Sequence, residues 1–124
     1  MHRRRGFTLI ELLVVLAIVA TLLTLALPRY FGKVEATREA VLRENLRTTR
    51  DLIGKFYGDH GRYPESLDEL VQRRYLAALP LDPITESTTG WTLQAPPEGE
   101  RGAVYDLHSA APGNGLDGTP YAQW

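Results

Sequence analysis

The chain has 124 residues, 44% of them hydrophobic, with no cysteine and a formal net charge of −1. That length holds one domain, and with its first quarter unable to join a soluble core the globular portion is small and marginal. The lack of cysteine excludes the disulfide staples on which small exported domains often depend.

The chain opens with Arg3, Arg4 and Arg5, then Gly6-Phe7-Thr8-Leu9-Ile10-Glu11, and then an apolar stretch over 12–27 broken only by Thr21 and Thr24. Residues 7–27 are long enough to cross a ~30 Å hydrocarbon core at about 1.5 Å per residue. A secretory signal has a shorter apolar core with a small-residue cleavage site behind it. Here Leu25-Ala26-Leu27-Pro28-Arg29 runs directly into a charged helical pattern, so the apolar segment is expected to stay on the mature chain. Positive residues are retained on the cytoplasmic side, which places the body beyond the membrane. A plain signal anchor accounts for length and charge, but not for a carboxylate at the fifth position of the apolar segment.

From 29 to 57 the pattern is amphipathic. Leu42, Leu46, Thr49, Ile53 and Phe56 recur at steps of three and four, widened by Val34, Val41 and Leu52. Arg38, Glu39, Arg43, Glu44, Arg47, Arg50 and Asp51 fill much of the remainder, with Glu39 and Arg43 a favourable i,i+4 pair. One helix over about 7–57, roughly 75 Å long, is predicted. Pro28 lacks the amide hydrogen that would reach the Thr24 carbonyl, so a kink or local melting over 24–28 is expected. Gly58 and Gly61 supply the stop.

Ser66 and Glu69 have capping-box spacing and predict a short helix from Leu67 to about Arg74, with Leu67, Leu70, Val71 and the Arg74 stem on one side. A connector follows to Leu79-Pro80-Leu81-Asp82-Pro83. Residues 91–95 and 103–108 read as strands joined by a loop containing two prolines and two glycines. The tail 109–124 has no period and reads as a loop, with Tyr121 and Trp124 expected to pin it onto the sheet.

Asp106, His108 and Ser109 are the residue types of a hydrolytic triad. On a strand, however, Asp106 and His108 share one face and Ser109 takes the other, and no Gly-x-Ser-x-Gly elbow is present. His60 and His108 lack metal-ligand spacing. The glycines of 113–118 do not open a helix after a strand, as a phosphate loop does. The reading is a non-enzyme.

Gly6-Phe7-Thr8-Leu9-Ile10-Glu11-Leu12, behind three arginines and ahead of the apolar run, resembles the class III leader of type IV pilins and type II secretion pseudopilins. The resemblance implies that a membrane prepilin peptidase cuts between Gly6 and Phe7 and methylates Phe7, and that Glu11 is the family's assembly glutamate. The implied boundaries are 1–6 for the leader, 7–28 for the transmembrane and filament-core helix, and 29–124 for a periplasmic pilin-like globular domain. Removing the leader leaves 11 Lys+Arg against 15 Asp+Glu, about −4, a balance that argues against nucleic acid as a partner.

The body resembles the G-type major pseudopilin of type II secretion. Arg62-Tyr63-Pro64, Leu79-Pro80-Leu81-Asp82-Pro83, the stretch from Tyr105 through Pro112 to Gly113, and Trp124 carry the likeness. It implies an α+β fold in which a long N-terminal helix packs on a small C-terminal antiparallel sheet, completed by a C-terminal loop that calcium holds in place of a disulfide. The loop here departs from that pattern. Gly113 stands where the family has an aspartate, Asp117 is the one charged calcium candidate, and Asn114 and main-chain carbonyls are its helpers. Calcium takes six to eight oxygens and binds more tightly as anionic ligands accumulate, so a weak site or none is expected. The implied function is an inner-membrane subunit of a pseudopilus driving protein export. Its implied partners are copies of itself, minor pseudopilins, an inner-membrane assembly platform and the prepilin peptidase. The alternatives are a type IV pilin for adhesion or motility, and a membrane-anchored periplasmic enzyme or sensor.

Overall fold

The structure, a computed structural model, describes residues 6–124; Arg3, Arg4 and Arg5 of the leader lie outside the described residues. The elements are helix α1 (Leu9–His60), helix α2 (Leu67–Gln72), strands β1 (Thr92–Gln94) and β2 (Asp106–His108), and a 3-10 turn (Tyr121–Gln123). Internal contacts divide the chain into one unit running to Glu35 and a second, Ala36–Trp124. The first unit holds the opening stretch of α1. Helix assignment runs unbroken through Pro28, so the local melting expected over 24–28 does not occur.

In the second unit α1 turns Leu42, Leu46, Thr49, Ile53 and Phe56 inward, as the three-four spacing predicts. The stripe extends one further turn back, to Glu39, which is only 7% exposed rather than on the solvent face. Val41, expected to widen the stripe, is instead exposed. Leu67, Leu70, Trp91, Val104 and Leu107 close over the stripe to form the core. A fully buried side chain of this size contributes about 1.5–3 kcal/mol, so these few residues supply most of the driving force.

Helix α1 passes Gly58 and stops at Gly61, whose φ of 68° is the left-handed conformation that glycine adopts readily. The Ser66 hydroxyl caps α2 by accepting the Glu69 N–H at 3.2 Å. The Glu69 carboxylate does not return to Ser66. It accepts the Glu65 N–H at 3.0 Å and a two-pronged Arg62 guanidinium at 2.8 and 2.9 Å. Helix α2 ends at Gln72 rather than near Arg74, because Arg74 is left-handed (φ 64°) and the Tyr75 and Leu76 N–H groups both turn back to the Leu70 carbonyl.

β1 and β2 pair antiparallel in the register Thr92↔His108, Leu93↔Leu107 and Gln94↔Asp106. Both are shorter than expected. The Ala103 and Val104 N–H groups bond the Pro64 carbonyl, and the Tyr63 N–H bonds the Arg101 carbonyl, so residues 101–104 are tied to 63–64, and bonding to β1 begins only with the Tyr105 N–H on the Gln94 carbonyl at 2.9 Å. That crossing is close: a Cβ on Gly102 (φ 106°) would lie 2.2 Å from the Tyr63 carbonyl oxygen, leaving room only for glycine. Buried Asp82 accepts from the Ser109 hydroxyl at 2.5 Å and from the Ile84 N–H at 2.9 Å, while Trp91 donates to the Pro80 carbonyl at 2.9 Å. Among the described residues no buried side-chain nitrogen or oxygen lacks a partner.

The Arg62 hydrogen bonds, aided by the Glu65 N–H, hold the Glu69 carboxyl at about 2, well below its ordinary 4.5. A carboxylate depressed in the folded state contributes stability above its unfolded value and loses it as pH falls toward the folded one. Glu69→Gln is therefore expected to destabilise the fold at neutral pH by about 1.5–3 kcal/mol. It should also flatten the decline between pH 4.5 and 2, as read by urea unfolding across that window.

Candidate assembly helix and closing loop

Two places concentrate functional side chains, and each lies within one unit. The first is the opening of α1. The Thr8 hydroxyl accepts the Glu11 N–H at 3.1 Å, and the Glu11 carboxylate makes a long return contact to the Thr8 N–H at 3.5 Å. Thr8-Leu9-Ile10-Glu11 is thus a capping box, a signal present in the sequence. Glu11 also sits in the first turn, where the helix dipole favours an anion by about 0.3–1 kcal/mol.

Beyond the cap, α1 is apolar around its whole circumference. Phe7 is 85% exposed, and the large apolar residues from Leu9 to Phe31 are all exposed as well. This helix alone among the described residues is long and apolar enough to cross a membrane, and its most apolar window buries nothing within the chain. Its polar interruptions are internally satisfied: Thr21 donates to the Ala17 carbonyl at 2.8 Å and Thr24 to the Ala20 carbonyl at 2.5 Å. At Gly6 the backbone φ is ordinary and nothing lies within 4 Å of the position a Cβ would take, so the fold itself does not demand glycine there.

The second place is the C-terminal loop against α1. Arg50 is its fork: Nε donates to Asp106 at 2.7 Å, and Nη2 donates to the Leu107 and Trp124 main-chain oxygens, each at 2.8 Å. His108 Nδ1 lies 2.6 Å from the same Trp124 oxygen and must therefore be the protonated nitrogen, while Nε2 faces Gln94 at 3.3 Å. Ser109 is committed to Asp82, so Asp106, His108 and Ser109 form no relay. Buried Glu39 accepts the Leu116 N–H and the Tyr121 hydroxyl, both at 2.8 Å. Arg43 bonds Asp117 at 3.2 Å, not Glu39 as the i,i+4 spacing suggests, and stacks 4.3 Å above the Trp124 ring. The tail is therefore pinned to α1 as well as to β2. It contains the 3-10 turn and an Asn114↔Pro120 bridge, where the sequence predicts a plain loop. A cleft of about 440 Å³ opens beside Arg43, Arg47 and Arg50. Among the described residues no three His, Cys, Asp or Glu side chains group as a metal site.

Residues 1–27 match the family described as the prokaryotic N-terminal methylation motif. The chain is 31% identical to competence protein ComGC of Halalkalibacterium halodurans, over 60% of its own length and 74% of that protein. The chain belongs to the type IV pilin-like family. This pilin-like chain is also 29% identical to type II secretion system core protein G of Klebsiella pneumoniae, over 97% of itself and 90% of that protein. Against type IV major pilin protein PilA of Myxococcus xanthus it is 31% identical over 55% of its own length, but covers only 31% of that pilin. No solved structure matches.

The Arg50 fork is not legible from spacing, because its acceptors are main-chain oxygens and a carboxylate more than fifty residues away. Arg50→Met is expected to destabilise this pilin-like domain by about 1.5–3 kcal/mol and to loosen 121–124. Urea unfolding and the emission of Trp124 check this; a loss under about 0.5 kcal/mol, the range of neutral surface changes, would contradict it.

Proposed function

We propose that this chain is the structural subunit of a pseudopilus that drives protein export by type II secretion. The observation that carries the reading is the near end-to-end likeness to core protein G, set beside the partial coverage of the pilin. The fully exposed apolar opening of α1 supports it, since such a surface needs lipid or neighbouring helices around it. The role is architectural, not catalytic.

In this reading prepilin peptidase cuts between Gly6 and Phe7 and methylates Phe7. The leader arginines stay on the cytoplasmic side and the domain 29–124 is periplasmic, with 7–28 in the inner membrane until assembly. Copies of the chain, minor pseudopilins and an assembly platform are its partners. Steric freedom at Gly6 supports a recognition role, because glycine there serves no need of the fold.

Lipid tails are as apolar as leucine, so moving α1 from bilayer to filament brings little hydrophobic gain. Packing and polar pairing must provide the preference. Cleavage creates an amine at Phe7, and in a filament the amine of an incoming subunit meets the Glu11 of its neighbour. Removing one partner of a buried pair leaves an uncompensated charge, at about 3–5 kcal/mol.

Glu11→Val is expected to be cleaved and inserted normally yet to assemble at least ~100-fold less, the equilibrium equivalent of about 3 kcal/mol, with secretion falling in step. Filaments formed by Glu11→Val alone at wild-type yield would overturn the pairing. Gly6→Leu should accumulate uncut precursor, and an intact mass beginning at Phe7 in that variant would overturn the recognition role.

A further inference from the structure

The loop that calcium closes in the family resembled does not offer calcium a site here. Its one carboxylate, Asp117, is already engaged on both oxygens: Oδ1 accepts the Thr119 N–H at 2.9 Å and Oδ2 takes Arg43 at 3.2 Å. A guanidinium at that distance repels a divalent cation from the loop's own carboxylate. Three of the loop carbonyls already accept hydrogen bonds. Gly115 O accepts the Gly118 N–H, Thr119 O accepts the Gly115 N–H and the Trp124 indole, and Gly113 O accepts the Tyr121 N–H. Calcium needs six to eight free oxygens, and the residues present do not fit it.

What converges on the loop is an anion. Glu39, buried on α1, draws in the Leu116 N–H and the Tyr121 hydroxyl at 2.8 Å each. In a cation-closed loop, oxygens turn inward around a positive centre; here hydrogen-bond donors turn inward around a negative one. The closure is tight. A Cβ on Gly115 would meet the Trp124 ring at 2.4 Å and Glu39 Oε1 at 3.2 Å, so the loop is in close contact with α1 and the tail at that point. Arg43 covers the outer side by stacking on Trp124, and Arg50 holds the Trp124 main-chain oxygen.

We propose that Glu39, Arg43 and Arg50 of α1 close the C-terminal loop directly, so that this chain folds without the divalent cation. The proposal goes beyond the filament reading and stands or falls separately from it, because its test reads the folding of the subunit alone.

The test uses the mature full-length chain in detergent micelles, with thermal unfolding followed by tryptophan emission in calcium chloride and in EDTA. The expected midpoints coincide, and the Leu116 amide is protected from exchange equally in both. Asp117→Asn and Arg43→Gln, both changes at exposed side chains, should lower the midpoint by the same amount with calcium as with EDTA. Glu39→Ala should speed Leu116 exchange about 10-fold or more in either buffer. A midpoint raised several degrees by calcium, and no longer raised in Asp117→Asn, would show a ligand bound only to the folded state and overturn the proposal. Leu116 left unprotected in EDTA, or unchanged by Glu39→Ala, would overturn it as well.

Discussion

The core of the second unit is built on one stripe of one helix. Leu42, Leu46, Ile53 and Phe56 form one buried cluster with Leu67 and Leu70 of α2, Trp91, Val104 and Leu107. A two-stranded sheet of three residues per strand is not stable by itself in water. The polar ties follow the same line: Glu39, Arg43, Asn45 and Arg50 each reach from α1 to a segment that has no regular partner. A domain without disulfides thus replaces covalent cross-links by many bonds radiating from one rigid rod.

The opening of α1 obeys a different constraint. An intramembrane carboxylate is disfavoured by about 2.5–3.5 kcal/mol at mid-helix on insertion scales. Glu11 sits where that penalty is smallest, in the first turn, with Thr8 as its capping partner and unsatisfied N–H groups nearby. Glu11 therefore lies where an apolar helix tolerates a carboxylate best.

Much of this is readable from the residues alone, and the misreadings share a cause. Three-four spacing finds the buried face from Leu42 to Phe56, Ser66 marks the start of α2, and two apolar runs locate the strands. The leader motif places the chain in its family. Glu39 is misread because charge implies solvent unless a distant partner is known, and its partners Leu116 and Tyr121 are about eighty residues away. The end of α2 depends on a left-handed Arg74, which propensity does not favour. The strands are overextended because the 103–104 amides have a second acceptor within reach, Pro64. Local periodicity reports faces; it does not report which distant carbonyl a given amide will choose.

The Arg50 fork sets an order of events. Its acceptor on Trp124 lies 74 positions downstream, so a chain emerging amino end first cannot complete this bond until nearly all of it has emerged. The residues that cover the Leu42–Phe56 stripe, Leu67 to Leu107, emerge before Trp124, whereas the loop closure that the Arg50 bond needs is slow as well as entropically demanding. The domain therefore matures last at the point where it is most tightly tied. A chain whose tail is still unbound lacks the ties that Glu39, Arg43 and Arg50 make to it, and its incompletely closed core is where association between chains competes with folding.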